Sequence, residues 1–165
     1  MIHSILLIHN PLSLSPASWL SAIIRLFIRF PFQHLEFLVE IGGKKFVVGA
    51  VFLKVKIRPY EEWLRKQTRT IVYAHPEVPY TEADFNRLMS FVGKRYDIAS
   101  LLHQAWYILT GRWTGRVSKS DESVNCSELY GQVFRDRHPE NYYKLTTSDI
   151  IKTVAVERVI HARRY

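Results

Sequence analysis

Cys126 is the only cysteine in the 165-residue sequence, and its surroundings favour a reactive thiol. The thiolate is the nucleophilic form, and a free thiol has a pKa of about 8.5. A helix N-terminus and a neighbouring imidazolium both lower that pKa. Asn125 or Ser123 can cap a following helix, which places Cys126 in its first turn. The alternative is a small buried apolar residue, which is how most free cysteines are used.

A nucleophilic cysteine needs a histidine base, and His34 has the most suitable position for that role. Apolar residues alternate with His34, Glu36 and Glu40 up to Ile41, and this period of two predicts a half-buried strand with His34 on its polar face. His75, directly before a proline at a predicted strand end, is the alternative. The seven histidines are His3, His9, His34, His75, His103, His138 and His161.

Four short motifs follow one another in a recognisable order. They are His34-Leu35-Glu36 opening a strand, Ala50 near the end of the next strand, Tyr96-Asp97, and Asn125-Cys126-Ser127-Glu128-Leu129 opening a helix. This ordered set resembles the circularly permuted NlpC-type papain-like superfamily, in particular its YiiX-like branch and phage relatives, and the resemblance runs from about Ile24 to Asp149. In that superfamily the histidine strand precedes the cysteine helix.

The resemblance implies an α+β fold in which an antiparallel sheet packs against helices and the histidine strand faces the N-terminus of the cysteine helix. It implies Cys126 as nucleophile, His34 as base, and hydrolysis or transfer at an amide, peptide, thioester or ester bond through an acyl-enzyme. It places Tyr96 near the site, where this residue either binds the substrate or oxyanion or only packs between helices. It implies neither a metal nor an organic cofactor.

The third catalytic position departs from the family pattern. YiiX-like members tend to carry a glutamate just before the alanine of the second strand, where this chain has Gly49. If Gly42-Gly43 closes a hairpin, the residue numbers of each cross-strand pair add up to 85, and Glu36 therefore faces Gly49. The Glu36 carboxylate can then lie over the glycine and orient His34. Two alternatives are a solvated Glu36 and a site without an orienting group.

Composition and patterning predict one domain over 1–165, with an N-terminal segment and helix in 1–32 and a core in 33–165. Apolar residues make up 47% and charged residues 23%, which excludes a disordered chain. Further strands are expected near Val55–Arg58, Arg69–Ala74 and Ala155–Ile160. Further helices are expected at 18–30, Glu82–Phe91 with Thr81 as cap, Ile98–Leu109, Asn125–Arg135 and Asp149–Lys152 with Ser148 as cap.

The formal charge of +8 favours anionic partners, and a basic surface kept for solubility is the alternative. We expect a peptide-, amide- or lipid-linked substrate and an optional anionic surface, either a membrane or a wall polymer; the chain carries no nucleic-acid motif.

The start of the chain lacks a basic segment followed by an apolar run, so a cytoplasmic location is predicted. Helix 18–30 either contacts a membrane surface or packs on the core. A catalytically weakened papain-like fold that binds an anionic partner is the alternative function.

Overall fold

The computed structural model describes residues 1–9, 32–51, 54–67, 70–97, 103, 106–107, 110–112, 123–137, 145 and 147–161. Within them the chain forms a large sheet and four continuous short helices, and residues 103, 106–107 and 110 are helical as well. The strands are β1 Ile2–His9, β2 Phe32–Ile41, β3 Lys44–Val51, β4 Lys54–Pro59, β5 Thr70–Pro76, β6 Arg95–Tyr96, β7 Ser123–Val124 and β8 Val154–His161. The helices are α1 Tyr60–Arg65, α2 Glu82–Ser90, α3 Cys126–Val133 and α4 Thr147–Ile151.

The described strands form one sheet in the order β7-β6-β4-β3-β2-β1-β5-β8. All neighbours are antiparallel except the two-residue strands β6 and β7, which pair in parallel. Gly42 and Gly43 have φ values of 57° and 75° and close the β2–β3 hairpin, because residues with side chains rarely adopt two such angles in succession. The β2–β3 register runs from Ile41–Lys44 to Phe37–Val48, and each pair sums to 85. The fold is therefore α+β, as predicted.

Apolar residues cover both faces of the sheet. One face packs against α2, α3 and α4, and its core includes Leu35, Phe37 and Ala50 together with Cys126. The other face packs against α1 through Tyr60 and Trp63. Because β1 alternates between the two clusters and both are buried, it is a central strand with two covered faces.

Most predicted elements in the described residues are present. The hairpin, β4, β5, β8, α2 with its Thr81–Asp84 capping box, and α3 lie where they are expected. The structure adds β1, α1, β6 and β7, and α4 begins at Thr147 rather than after Ser148. The predicted helix 18–30 and most of the predicted helix Ile98–Leu109 lie outside the described residues. No helix within the described residues has the length and apolar character needed to cross a membrane.

Candidate active site

Helix α3 begins at Cys126 because Asn125 caps it. The Asn125 Oδ1 accepts a hydrogen bond from the Glu128 N–H at 2.9 Å and a second from the Ser127 hydroxyl at 3.0 Å. The Glu128 carboxylate in turn accepts from the Asn125 N–H at 3.4 Å, which completes a capping box. Cys126 therefore lies in the first helical turn, where the helix dipole favours a negative charge, and it is 6% exposed.

Strand β2 brings a backbone N–H to the same sulfur. The β2–β3 register reaches Phe37–Val48, and two residues earlier the Leu35 N–H donates a hydrogen bond to the Cys126 sulfur. The Ser127 N–H donates to this sulfur as well. The N-terminus of α3 thus meets β2 just beyond the paired part of the hairpin, next to His34.

His34 and Cys126 interact with each other, through hydrogen bonding and charge, closely enough to shift each other's pKa. Burial alone would raise the pKa of the Cys126 thiol, but the hydrogen bond and charge of His34, with the Leu35 and Ser127 N–H groups, hold it below the ordinary value. Burial would lower the pKa of His34, but its bonds to Cys126 and Glu36 raise it to about 10. Both directions favour a thiolate–imidazolium pair at neutral pH.

Glu36 supplies the third group of the candidate site. Its Oε1 lies 2.8 Å from His34 Nε2, which leaves Nδ1 as the ring nitrogen for the sulfur. The Glu36 side chain rests on Gly49, since a Cβ added to that glycine would lie 2.6 Å from the Glu36 Cγ. The space that a side chain at position 49 would fill is therefore occupied by Glu36.

The Glu36 carboxylate is kept ionised although it is only 2% exposed. Burial would raise the pKa of Glu36, but hydrogen bonds and charges from His34 and then Arg58 outweigh burial and hold it below its usual range. Arg58 Nη2 lies 2.5 Å from Glu36 Oε2. The two carboxylate oxygens thus bind one cation each, which satisfies an otherwise costly buried charge.

The structure brings together Cys126, His34 and Glu36. Tyr96 lies in β6, where its backbone pairs with Val124, two residues before Cys126; its role in the site stays a prediction. His75 pairs instead with Glu157 at 2.8 Å, on the β5–β8 side of the sheet.

Sequence reasoning missed Arg58. The available signal was the alternation of Lys54, Lys56 and Arg58 along β4, which puts three cations on one face of the strand. That alternation becomes informative only if β3 and β4 are known to pair, because Gly49 then lies opposite Lys56 on that same face.

No protein-family model matches the sequence, and no curated protein is significantly similar to it. Among solved structures the chain is similar to the metalloprotein YiiX from Escherichia coli O157:H7, with a TM-score of 0.56 and 16% identity over 96% of each chain. At this identity the likeness concerns the fold. The chain therefore shares its overall fold, over nearly its whole length, with YiiX.

Proposed function

We propose that this protein is a cysteine hydrolase of circularly permuted papain-like type that acts through an acyl-enzyme, with Cys126 as nucleophile, His34 as base and Glu36 as orienting carboxylate. The observation that carries the proposal is the position of His34, which lies 2.8 Å from the buried Glu36 carboxylate and interacts with the Cys126 thiol closely enough for each to shift the pKa of the other. A structural cysteine needs no imidazole partner, and a solvated strand glutamate would not be buried beneath an arginine.

The thiolate attacks a carbonyl carbon and forms an S–C bond. The resulting oxyanion needs fixed donors, and the Cys126 N–H at the start of α3 is the first candidate, with Tyr96 as the second. The intermediate then collapses, the bond to the amine or alcohol breaks, and the His34 imidazolium gives its proton to that leaving group. Water, deprotonated by His34, hydrolyses the thioester, releases the acid and restores the imidazolium.

The substrates proposed are peptide- or amide-linked groups and lipid-linked acyl groups, with the basic charge of the chain favouring an anionic carrier or surface. YiiX is described as a metalloprotein, so we asked whether the His, Cys, Asp and Glu side chains of this chain could bind a metal ion. Within the described residues no three His, Cys, Asp or Glu side chains are grouped to hold a metal. In the candidate site the donor atoms already bind one another in series, and we assign no step to a metal.

Alkylation of Cys126 by iodoacetamide tests the proposal directly, because the chain has one cysteine. A thiol with an ordinary pKa of about 8.5 reacts about 75-fold faster at about pH 8 than at about pH 6, in proportion to its thiolate fraction. For the wild-type protein we expect nearly equal rates at the two pH values. In His34→Ala the ratio should rise towards about 75, since burial, which raises the pKa of the thiol, is then opposed only by the Leu35 and Ser127 N–H groups.

His75→Ala is the matched control for His34→Ala. It also removes a histidine that is 2.8 Å from a glutamate oxygen, but one bound to Glu157 rather than near Cys126. The control should keep the wild-type rate ratio. If wild-type Cys126 shows the ratio of an ordinary thiol, the hydrolase proposal is wrong, and a binding protein with this fold becomes the better account.

A further inference from the structure

Arg58 reaches the candidate site from two strands away. It belongs to β4, whose register places it opposite Val47 of β3, while Glu36 belongs to β2 on the far side of β3. Neighbouring strands are about 4.8 Å apart, so the backbones of β4 and β2 are about 10 Å apart. The two side chains have to reach across β3 to meet. Glu36 lies over Gly49, where β3 carries no side chain, and Arg58 Nη2 reaches its Oε2 from β4.

Among the described residues, Glu36 is the one to which the Arg58 side chain donates a hydrogen bond. A carboxylate facing an arginine alone usually offers both oxygens to the guanidinium fork. Here Glu36 gives Oε2 to Arg58 Nη2 and Oε1 to His34. The Arg58 Nε–H is buried and has no hydrogen-bond partner in the described structure. Only Nη2 of the Nε–Nη2 edge therefore binds Glu36, and the unpaired Nε–H costs free energy. A residue kept only to stabilise the fold would be expected to pair both groups.

We propose that Arg58 is a positioning residue of the candidate site, which fixes the Glu36 carboxylate over Gly49 and keeps it ionised beside His34, so that the relay has four members. The proposal rests on the proposed function. It adds that the pH below which Cys126 loses its reactivity depends on Arg58, which contacts neither the sulfur nor the imidazole.

Several charged groups surround this relay within the described residues. The charged groups that shift the pKa of Glu36 or His34 most are these two residues themselves, Arg58 and Cys126. Lys56 lies on the same strand face opposite Gly49, and Glu62 and Lys66 line a small cavity together with Arg58. Lys56 is exposed, and Glu62 and Lys66 are paired with each other at 2.5 Å, so among the described cations outside β2 Arg58 is the one that binds the buried Glu36.

The test is the pH profile of Cys126 alkylation in Arg58→Ala, Arg58→Lys and the wild type. Without the guanidinium, Glu36 takes up a proton at higher pH, and the neutral acid no longer supports the imidazolium. An arginine beside a carboxylate typically lowers its pKa by about 1–3 units. We therefore expect the acidic limb of the profile to move up by about one pH unit or more, with a tenfold or greater loss of rate along that limb. Lysine at position 58 keeps the charge and should recover part of the shift.

Arg137→Ala is the matched control, because Arg137 also binds a buried carboxylate, Asp84, at 2.8 Å. It should lower the melting temperature without moving the limb. If Arg58→Ala leaves the limb in place while His34→Ala removes the reactivity, the role of Arg58 is refuted and the hydrolase proposal stands. If the wild type reacts as an ordinary thiol, both proposals are wrong. Should Arg58→Ala fail to fold, Arg58→Gln is used for the same comparison.

Discussion

Replacing Gly49 with alanine should impair the site by way of Glu36. The added Cβ would lie 2.6 Å from the Glu36 Cγ, 3.0 Å from its Cδ and 3.1 Å from its Cβ. Carbon atoms in favourable contact are about 3.5–4.0 Å apart, so Glu36 has to retreat by about 1 Å. Its 2.8 Å bond to His34 then lengthens beyond hydrogen-bonding distance.

The loss in rate is expected to be large and the loss in stability small. A displacement of about 1 Å in a catalytic array can cost about 100-fold, and we expect a decrease of that order in the hydrolysis of an activated p-nitrophenyl ester. Overpacking costs about 1–3 kcal/mol, which the lower entropy of alanine in the unfolded chain offsets by about 0.5–1 kcal/mol. Gly49→Ala should therefore remain folded, as circular dichroism and thermal unfolding will show.

A double-mutant cycle isolates the cause. In a Glu36→Ala background the side chain that collides with position 49 is absent, so Gly49→Ala should have little further effect on the rate. If Gly49→Ala reduces the rate equally in both backgrounds, the damage does not pass through Glu36. If the single variant keeps the wild-type rate, the carboxylate has no orienting role.

The remaining predictions concern the same array and its support. The double variant Glu36→Gly/Gly49→Glu returns the carboxylate to the strand used by YiiX-like proteins, and we expect it to hydrolyse the ester faster than Glu36→Gly alone. By NMR the His34 ring should stay protonated up to about pH 10 in the wild type and lose its proton at lower pH in Cys126→Ala, because the bond to sulfur raises its pKa. Asn125→Ala should cost about 1 kcal/mol in urea unfolding through loss of the cap. Phe37→Ala should cost about 3–5 kcal/mol in the same assay, because this fully buried ring lies 6.5 Å from Tyr130 and 6.1 Å from Phe134 of the α3 segment.

The β2–β3 hairpin is the part of the fold that sequence reasoning predicts best. Alternation fixes which residues of β2 share a face, and Gly42-Gly43 sets the turn, so the register follows from counting. The approach of Glu36 to Gly49 could therefore be predicted before any coordinates. The cap at Asn125 is equally local, because the residues that form it are three apart.

Elements without a local signal were not predicted. Strand β1 is buried on both faces, so its residues do not alternate in polarity and their period is uninformative. The role of Arg58 depends on three adjacent strands, and no Gly, Asn or Pro between Val51 and Lys54 marks the connection from β3 to β4. The meeting of Cys126 with His34 joins residues 92 positions apart, and a family resemblance, rather than spacing, indicated it.

The central place of β1 has a consequence for the order of assembly. Among the described strands, β1 joins the part of the sheet that contains β2, β3 and β4 to the part that contains β5 and β8. Strand β1 therefore has both edges paired only when Thr70–Ala74, more than 60 residues later in the chain, has joined the sheet. Pairing between segments far apart in sequence slows folding. Helix α3, which packs on this sheet, begins still later in the sequence, at Cys126. We expect the Cys126 thiol to react as an ordinary thiol during folding, and its lowered pKa to appear only after α3 has packed against the sheet.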